Sequence, residues 1–328
     1  MSRMARLPGM ESDNEIEAWD RFWQREAHKA PPANTTQRNS TGKHARGSGI
    51  PEGWRGIEQT CTRVWQDFAK MLPRNARVLD LATGSGEVLL RLLGARRDLK
   101  LFGVDRAREL PAAPRGLTLR SGVDIADLPF PDNRFAAVTS QFGFEYADMT
   151  TAASEIARVL HPQGRVALLT HRADSPIVSH NRARRDQINW ALEDRQLLHK
   201  ARSSLALRGA GLAMLPADII AAPEDGAARF GPQSAAWEIA EAIRQTLHLG
   251  RNDTAANVAK ILDDIEGQAQ NELGRIASLD AAAERASAAG ALAAAAHDAG
   301  LQMVEETSLP DALSGQVFAD FRVFTHLR

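Results

Sequence analysis

Arg77-Val-Leu-Asp80-Leu-Ala-Thr-Gly84-Ser-Gly86-Glu-Val-Leu-Leu-Arg91 joins a short apolar run to a glycine turn and then to a second apolar run. Val78, Leu79 and Leu81 predict a buried strand; Val88, Leu89, Leu90, Leu92 and Leu93 predict a helix that packs back on it. Gly84 and Gly86 permit a sharp turn and leave room for a ligand close to the backbone. A strand feeding a helix through such a turn predicts an α/β sheet whose ligand sits at the carboxyl ends of the strands.

Phosphate ligands fit this turn poorly. A dinucleotide turn carries a third glycine where Leu89 stands, and a phosphate-cradling loop continues with Lys and Ser or Thr where this chain has Glu87. A carboxylate at that point opposes a pyrophosphate and tolerates a ligand with positive charge.

Asp80-Leu-Ala-Thr-Gly-Ser-Gly86, with Asp105 closing the next strand, resembles the class I S-adenosylmethionine-dependent methyltransferases, and among them the small-molecule group that includes the quinone C-methyltransferases. The resemblance runs from Trp54 to Leu169 and more loosely through the C-terminal segment. It implies a Rossmann-like α/β fold: a mostly parallel, seven-stranded sheet with an antiparallel C-terminal edge. It also implies S-adenosylmethionine as cofactor, with Asp80, Ala82, Thr83, Gly84 and Gly86 around its charged end and Asp105 and Arg106 at its ribose. Asp124 would then accept from the adenine amine, Ile125 would cover the ring, and Gln141 would touch the cofactor from the substrate side. The spacing of Asp105 from the turn, roughly twenty residues, suits a ribose ligand in any nucleotide fold. Asp124 equally suits a turn cap.

Balanced charge, 40 basic against 41 acidic residues, gives no global field towards nucleic acid or membrane. The single cysteine, Cys61, excludes an intrachain disulfide and a cysteine metal cluster. No two of the nine histidines stand four apart, so no helical metal pair is expected. No apolar run reaches transmembrane length, and a cytoplasmic protein is the default expectation.

In residues 1–30, Ile16, Trp19, Phe22 and Trp23 share one face of an expected helix, which either packs on the core or caps the pocket. Residues 31–49 hold almost no core-forming side chains and read as a linker. The cofactor-binding core is expected over 50–172. It contains a helix over 52–71 ended by Pro73, strands at Leu99–Val104, Leu117–Val123, Phe135–Ser140 and Arg165–Thr170, and a turn at His161-Pro-Gln-Gly164.

The run Ser140-Gln-Phe142-Gly-Phe144-Glu145-Tyr146 leaves a central strand at its carboxyl edge. Phe142, Phe144 and Tyr146 either wall a substrate pocket or pack beneath the next helix. His171 ends the fifth strand and is the first candidate general base, followed by His180 and Glu145.

Residues 173–282 read as a helical insertion serving as a lid, a substrate surface or a dimer contact, and 283–328 return to the core with two final strands, Leu301–Glu306 and Phe318–His326. Ile188, Leu192, Leu198 and Leu205 predict one roughly continuous apolar helical face. Arg182, Arg184 and Arg185 form a basic cluster, either a solvated helix face or, with Asn181, a receptor for an acidic substrate. It lacks interleaved aromatic residues, so nucleic acid is not expected as a partner. Methyl transfer to a small molecule is the expected activity. A protein or peptide methyltransferase and a non-catalytic cofactor-binding module are the alternatives.

Overall fold

The computed structural model describes residues 54–208 and 215–327. The helix expected in 1–30 and the linker over 31–49 lie outside the described residues. Two compact units divide the chain: one runs to Val178 and resumes at Ser278, and the other is Ser179–Ala277.

The first unit contains α1 (Arg55–Lys70), β1 (Arg77–Leu81), α2 (Glu87–Ala95), β2 (Lys100–Val104), β3 (Leu117–Arg120) and β4 (Phe135–Gln141). A single tight turn, Phe144–Tyr146, leads to α3 (Met149–Val159) and β5 (Leu160–His171). After the helical segment come α9 (Ala291–Asp298), β6 (Leu301–Pro310) and β7 (Val317–His326). The seven strands lie in the order β3-β2-β1-β4-β5-β7-β6. The first five are parallel; β7 runs antiparallel to β5 and β6. The expected seven-stranded mixed sheet is therefore present, with β1 and β4 flanking the point where the strand order reverses.

β1 is buried at all but its first residue, as a central parallel strand must be when both faces are covered. Its side chains alternate between two cores. Val78 joins Trp65, Phe68, Leu89 and Leu92 on one side, and Leu79 and Leu81 join Phe135, Phe144, Ile156 and Val159 on the other. Trp65 of α1 meets Phe68 and Phe321 edge-on, at 6.1 and 5.6 Å between ring centres. The unpaired edge strand β6 is mostly exposed and carries Glu305 and Glu306, charges that discourage pairing with another chain.

The expected turn at His161–Gly164 interrupts β5's span: the pairing jumps from Phe135–Leu160 to Ala137–Arg165, leaving those four residues outside the ladder. β3 stops at Arg120, because Asp105 and Ala107 draw the backbone of Val123 and Gly122 aside into a turn. The alanine-rich stretch over 281–299 is two helices, parted at Gly290, whose φ of 75° ends one and starts the next.

The second unit holds most of α4 (Pro176–Asn189), a wider helical turn Trp190–Asp194, α5 (Leu197–Arg208), α6 (Ala217–Phe230), α7 (Ala235–Leu249) and most of α8 (Ala255–Ser287). Trp190, Leu198, Ile219, Ile243, Leu247, Val258 and Leu262 form its own core. The single apolar helical face expected from Ile188 to Leu205 is interrupted, since Gln196 takes a left-handed φ of 50° and turns the chain between α4 and α5. Among the described residues no helix is long and apolar enough to cross a membrane.

Gly103 in β2 shows how tightly the first unit is built. A Cβ there would lie 2.5 Å from Thr83 Oγ1 and 2.8 Å from Leu119 Cδ2. Gly103→Ala is expected to lower stability by about 1–3 kcal/mol through overpacking, read as a lower urea midpoint with an unchanged denaturant slope.

Candidate active site

The glycine turn is shaped by two aspartates at neighbouring strand ends. Asp80 is 1% exposed and paired in register with Thr139 of β4. Its carboxylate accepts from Thr83 Oγ1 and Thr139 Oγ1, both at 2.7 Å. Burial nevertheless disfavours the charged form and pushes this carboxyl up to about 7, against the two hydroxyl hydrogen bonds and with a further push from Asp105. A negative group held there at such cost suits a ligand that brings positive charge.

Asp105 stands just past β2. Its Oδ2 accepts from the Gly84 amide at 2.8 Å and its Oδ1 from the Ala107 amide at 3.0 Å. The carboxylate is thus fixed in orientation. Gly84 has φ of 50°, Gly86 of 83° and, unusually for a residue with a Cβ, Ala82 of 51°. A Cβ on Gly86 would lie 2.8 Å from Leu117 Cδ2, so this glycine serves the approach of the turn to β3. Glu87 lies 3.7 Å from Arg91 one helical turn on, an ion pair within α2.

Asp124 and Arg106 are close to each other, 3.8 Å apart and both exposed. Asp124 also accepts from the Ala126 amide at 2.9 Å, the capping role open to it from sequence. Ile125 is 6% exposed and belongs to the core that contains Phe135.

Gln141 ends β4 between two donors, Trp65 Nε1 at 2.7 Å and Arg91 Nη1 at 3.4 Å. An indole N–H can only donate, so Oε1 faces Trp65 and the amide nitrogen points the other way. Past Gln141, Phe142 has φ of 55°, and a Cβ on Gly143 would lie 2.4 Å from the Ala82 Cβ. The two turns that leave β1 and β4 therefore touch, and Gly143 is required by that contact. Ser140 ties them as well: its Oγ donates to Leu81 O and accepts from Phe144 N, both at 3.1 Å.

Glu145 and His171 meet beside this turn. Glu145 Oε1 is 2.9 Å from both the main-chain nitrogen and Nδ1 of His171, and neither side chain is appreciably exposed. Phe142 stacks on the imidazole with ring centres 4.1 Å apart, and Tyr146 meets it edge-on at 6.1 Å. Phe144 is 2% exposed and part of the core, so the pocket-wall expectation for this residue gives way to packing against α3. Phe142 and Tyr146 are half-buried.

His180, Asn181 and Arg184 lie on α4 in the second unit. His180 and Arg184 line a cavity of about 320 Å³ with Gln187, Phe230 and Ser234. Burial and the neighbouring Arg184 lower the imidazole's affinity for a proton. Arg184 is paired with Glu272 and, at 3.0 Å, with Glu238. Arg185 pairs with Asp186 at 3.3 Å. The basic cluster is thereby answered from within its own unit.

Trp65, Arg91 and Arg285 escaped the sequence reading. Arg285 Nε donates to the Glu145 main-chain oxygen at 3.1 Å. Trp65 reads from periodicity as a core residue only, and nothing local ties Arg285 to a turn 140 positions earlier. Among the described residues no group of His, Cys, Asp or Glu is arranged to hold a metal ion.

Asp80 generates a pH prediction. Its folded value near 7 lies above the ordinary carboxylate range, so the folded state holds this proton more tightly than the unfolded chain. That contribution to stability is complete below about pH 4 and is lost as pH rises through about 7. Stability of the ligand-free protein should fall over that window, and in Asp80→Asn this part of the pH dependence should disappear, as measured by urea denaturation at a series of pH values.

A family model described as a methyltransferase domain matches residues 79–168, from within β1 to within β5. A demethylmenaquinone methyltransferase of Thermus thermophilus is 42% identical over 101 residues, covering 28% of this chain and 46% of that protein. One from Deinococcus radiodurans is 35% identical over 130 residues, covering 37% and 50%. A 2-phytyl-1,4-naphtoquinone methyltransferase of Synechococcus elongatus is 36% identical over 133 residues, covering 35% and 56%. The chain spans about half the length of these curated relatives. Residues 79–168 are thus similar to a methyltransferase domain, and the curated relatives that match this core are quinone methyltransferases.

Proposed function

We propose that the protein transfers a methyl group from S-adenosylmethionine to a small aromatic acceptor. The observation that carries this reading is the pair of oriented aspartates at adjacent strand ends, one buried and short of positive charge, the other held by two backbone amides. The chemistry of these groups fits the cofactor. Asp80 would face its cationic end, with the amides at Gly84–Gly86, and Asp105 would accept from the ribose hydroxyls. Asp124 would turn its free lone pairs to the adenine amine, with Ile125 at the edge of that site, and Ala82, Thr83, Arg106 and Gln141 would complete the surroundings.

The cofactor supplies an activated methyl group. What remains for the protein is to align the acceptor, exclude water and manage a proton. Phe142 and Tyr146 are half-buried aromatic rings packed about His171 at the carboxyl ends of β4 and β5, which supports an aromatic acceptor. The relatives named for demethylmenaquinone and 2-phytyl-1,4-naphtoquinone point the same way, and a reduced naphthoquinone is the acceptor class we favour. Balanced charge and a single cysteine favour action in the cytoplasm.

Calorimetric titration of the full chain with S-adenosylmethionine, S-adenosylhomocysteine and NAD tests the reading. The first two should bind saturably and NAD should not. Asp105→Ala should weaken S-adenosylmethionine binding about tenfold to a hundredfold, the loss expected for a charged hydrogen bond worth about 1.5–3 kcal/mol. Absence of binding by both sulfur ligands to folded protein would overturn it.

A further inference from the structure

The Glu145–His171 pair is costlier than a structural contact needs to be. Glu145 is fully buried, and one of its oxygens, Oε2, has no hydrogen-bond partner among the described residues. A buried carboxylate with an unmet oxygen opposes folding unless the arrangement serves another purpose. Its other oxygen makes two bonds to one residue, to the His171 amide and to Nδ1. Phe142 adopts a left-handed φ of 55° and lays its ring on the imidazole, a second cost spent on the same group. The Arg285 guanidinium anchors the Glu145 main chain from α8. Four contacts therefore fix the position, plane and tautomer of one histidine.

The tautomer follows from the partner. A carboxylate can only accept, so Nδ1 carries the hydrogen and Nε2 carries the lone pair in the neutral ring. Nε2 takes part in neither bond to Glu145, and the side chain that carries it is 3% exposed.

Resting on the methyl-transfer reading, we infer that His171 is the general base that takes the hydroxyl proton of the acceptor, and that Glu145 is its positioning residue. The acceptor class is then narrowed to molecules with an ionisable O–H, such as a phenol or a reduced quinone. In the step, the acceptor O–H bond breaks and an N–H bond forms at His171 Nε2. The electron pair stays on the acceptor oxygen, from which an aromatic ring can share it with a neighbouring carbon. The imidazolium gains a positive charge that the Glu145 carboxylate balances, and its proton leaves to water after turnover. Titratable or charged neighbours on the packed elements are Glu145 and Tyr146 of the turn, Arg285 of α8, and Asp320 and Arg322 of β7.

Two measurements on the full chain test this. The first needs no acceptor: imidazole nitrogen-15 shifts of the wild-type protein, assigned by comparison with His171→Gln. A ring that in its neutral form carries its hydrogen at Nδ1 and leaves Nε2 open is expected, and Glu145→Gln should weaken that preference. The opposite tautomer, or no change on removing the carboxylate charge, would overturn the inference. The second is turnover of a short-chain 2-prenyl-1,4-naphthoquinone kept reduced, with calorimetry confirming that each variant binds S-adenosylmethionine.

For turnover, His171→Gln should lower kcat by roughly 10²–10⁴-fold, the usual contribution of a general base, and abolish the rising limb of the pH profile. Glu145→Gln keeps an acceptor oxygen for Nδ1; it should lower kcat with little change in KM. A His171→Gln variant that binds cofactor and turns over with an unchanged pH profile would overturn the base assignment while leaving methyl transfer intact. Wild-type protein that binds neither sulfur ligand would instead remove the underlying reading.

Discussion

A carboxylate buried at the reversal point of the sheet constrains most of what surrounds it. Asp80 sits in register with Thr139 across the β1–β4 pair, and both hydroxyls within reach, those of Thr83 and Thr139, are turned onto it. Thr83 can do so only by leaning into the space above β2, where a residue with a Cβ would collide, and Gly103 stands there. The turn in turn presents the Gly84 amide to Asp105, which orients the second carboxylate. Two hydroxyls do not replace the hydration of a carboxylate, so the acid remains near half-ionised at neutral pH. A cationic ligand would complete the arrangement, which explains why a phosphate-binding loop could not occupy the same place.

How much of this was legible in the sequence depends on the range of the interaction. Strand, turn and helix around Gly84 and Gly86 follow from local pattern, and the placement of Asp105 follows from the length of one crossover. The two final strands were legible in outline, while their antiparallel sense follows from the resemblance rather than from a local pattern. Gly86 was correctly read as a turn glycine, although its lack of a side chain accommodates Leu117 rather than a ligand. For Phe144 the sequence leaves two readings open, pocket wall or packing beneath the next helix, because a loop tip gives an aromatic ring no evident core. A single tight turn returns it to the sheet, where it packs with Ile156 and Val159. Gln196 interrupts an apolar periodicity that the pattern alone would continue, since a left-handed glutamine leaves no trace in hydrophobic spacing. Pairings such as Trp65 with Gln141 and Arg285 with Glu145 join distant segments and have no local signal.

The helical unit illustrates a related ambiguity about charge. Arg182, Arg184 and Arg185 form a conspicuous cluster in the sequence, but Arg185 pairs with Asp186 on its own helix and the counter-charges of Arg184 arrive from other helices. Glu238 on α7 and Glu272 on α8 answer Arg184, while Asp263 and Glu266 on α8 answer Arg202, each at 2.6 Å. Partly exposed pairs of this kind contribute little net stability. The unit is held by Trp190, Ile219, Ile243, Val258 and Leu262 instead, and the charges chiefly select how its helices register. A basic run therefore predicts an acidic ligand only when the fold leaves it unanswered.

At the exit of β4, three successive residues divide the labour of the core. Thr139 serves Asp80 on one face of the strand. Ser140, on the other, bonds the neighbouring turn through Leu81 and Phe144. Gln141 is clamped by Trp65 and Arg91, so its free amide protons have a fixed direction. Immediately beyond, Phe142 and Ala82 both occupy left-handed conformations that cost a residue with a side chain on the order of 1 kcal/mol or more. Such strain persists only when the surroundings over-determine it. Here they do, because the two turns interlock at Gly143 and the Phe142 ring is held against His171. Backbone strain, a directed amide and an oriented imidazole within one short stretch have the character of preorganisation. The sheet's stability is spent on holding polar groups where a reaction needs them and solvent would otherwise disperse them.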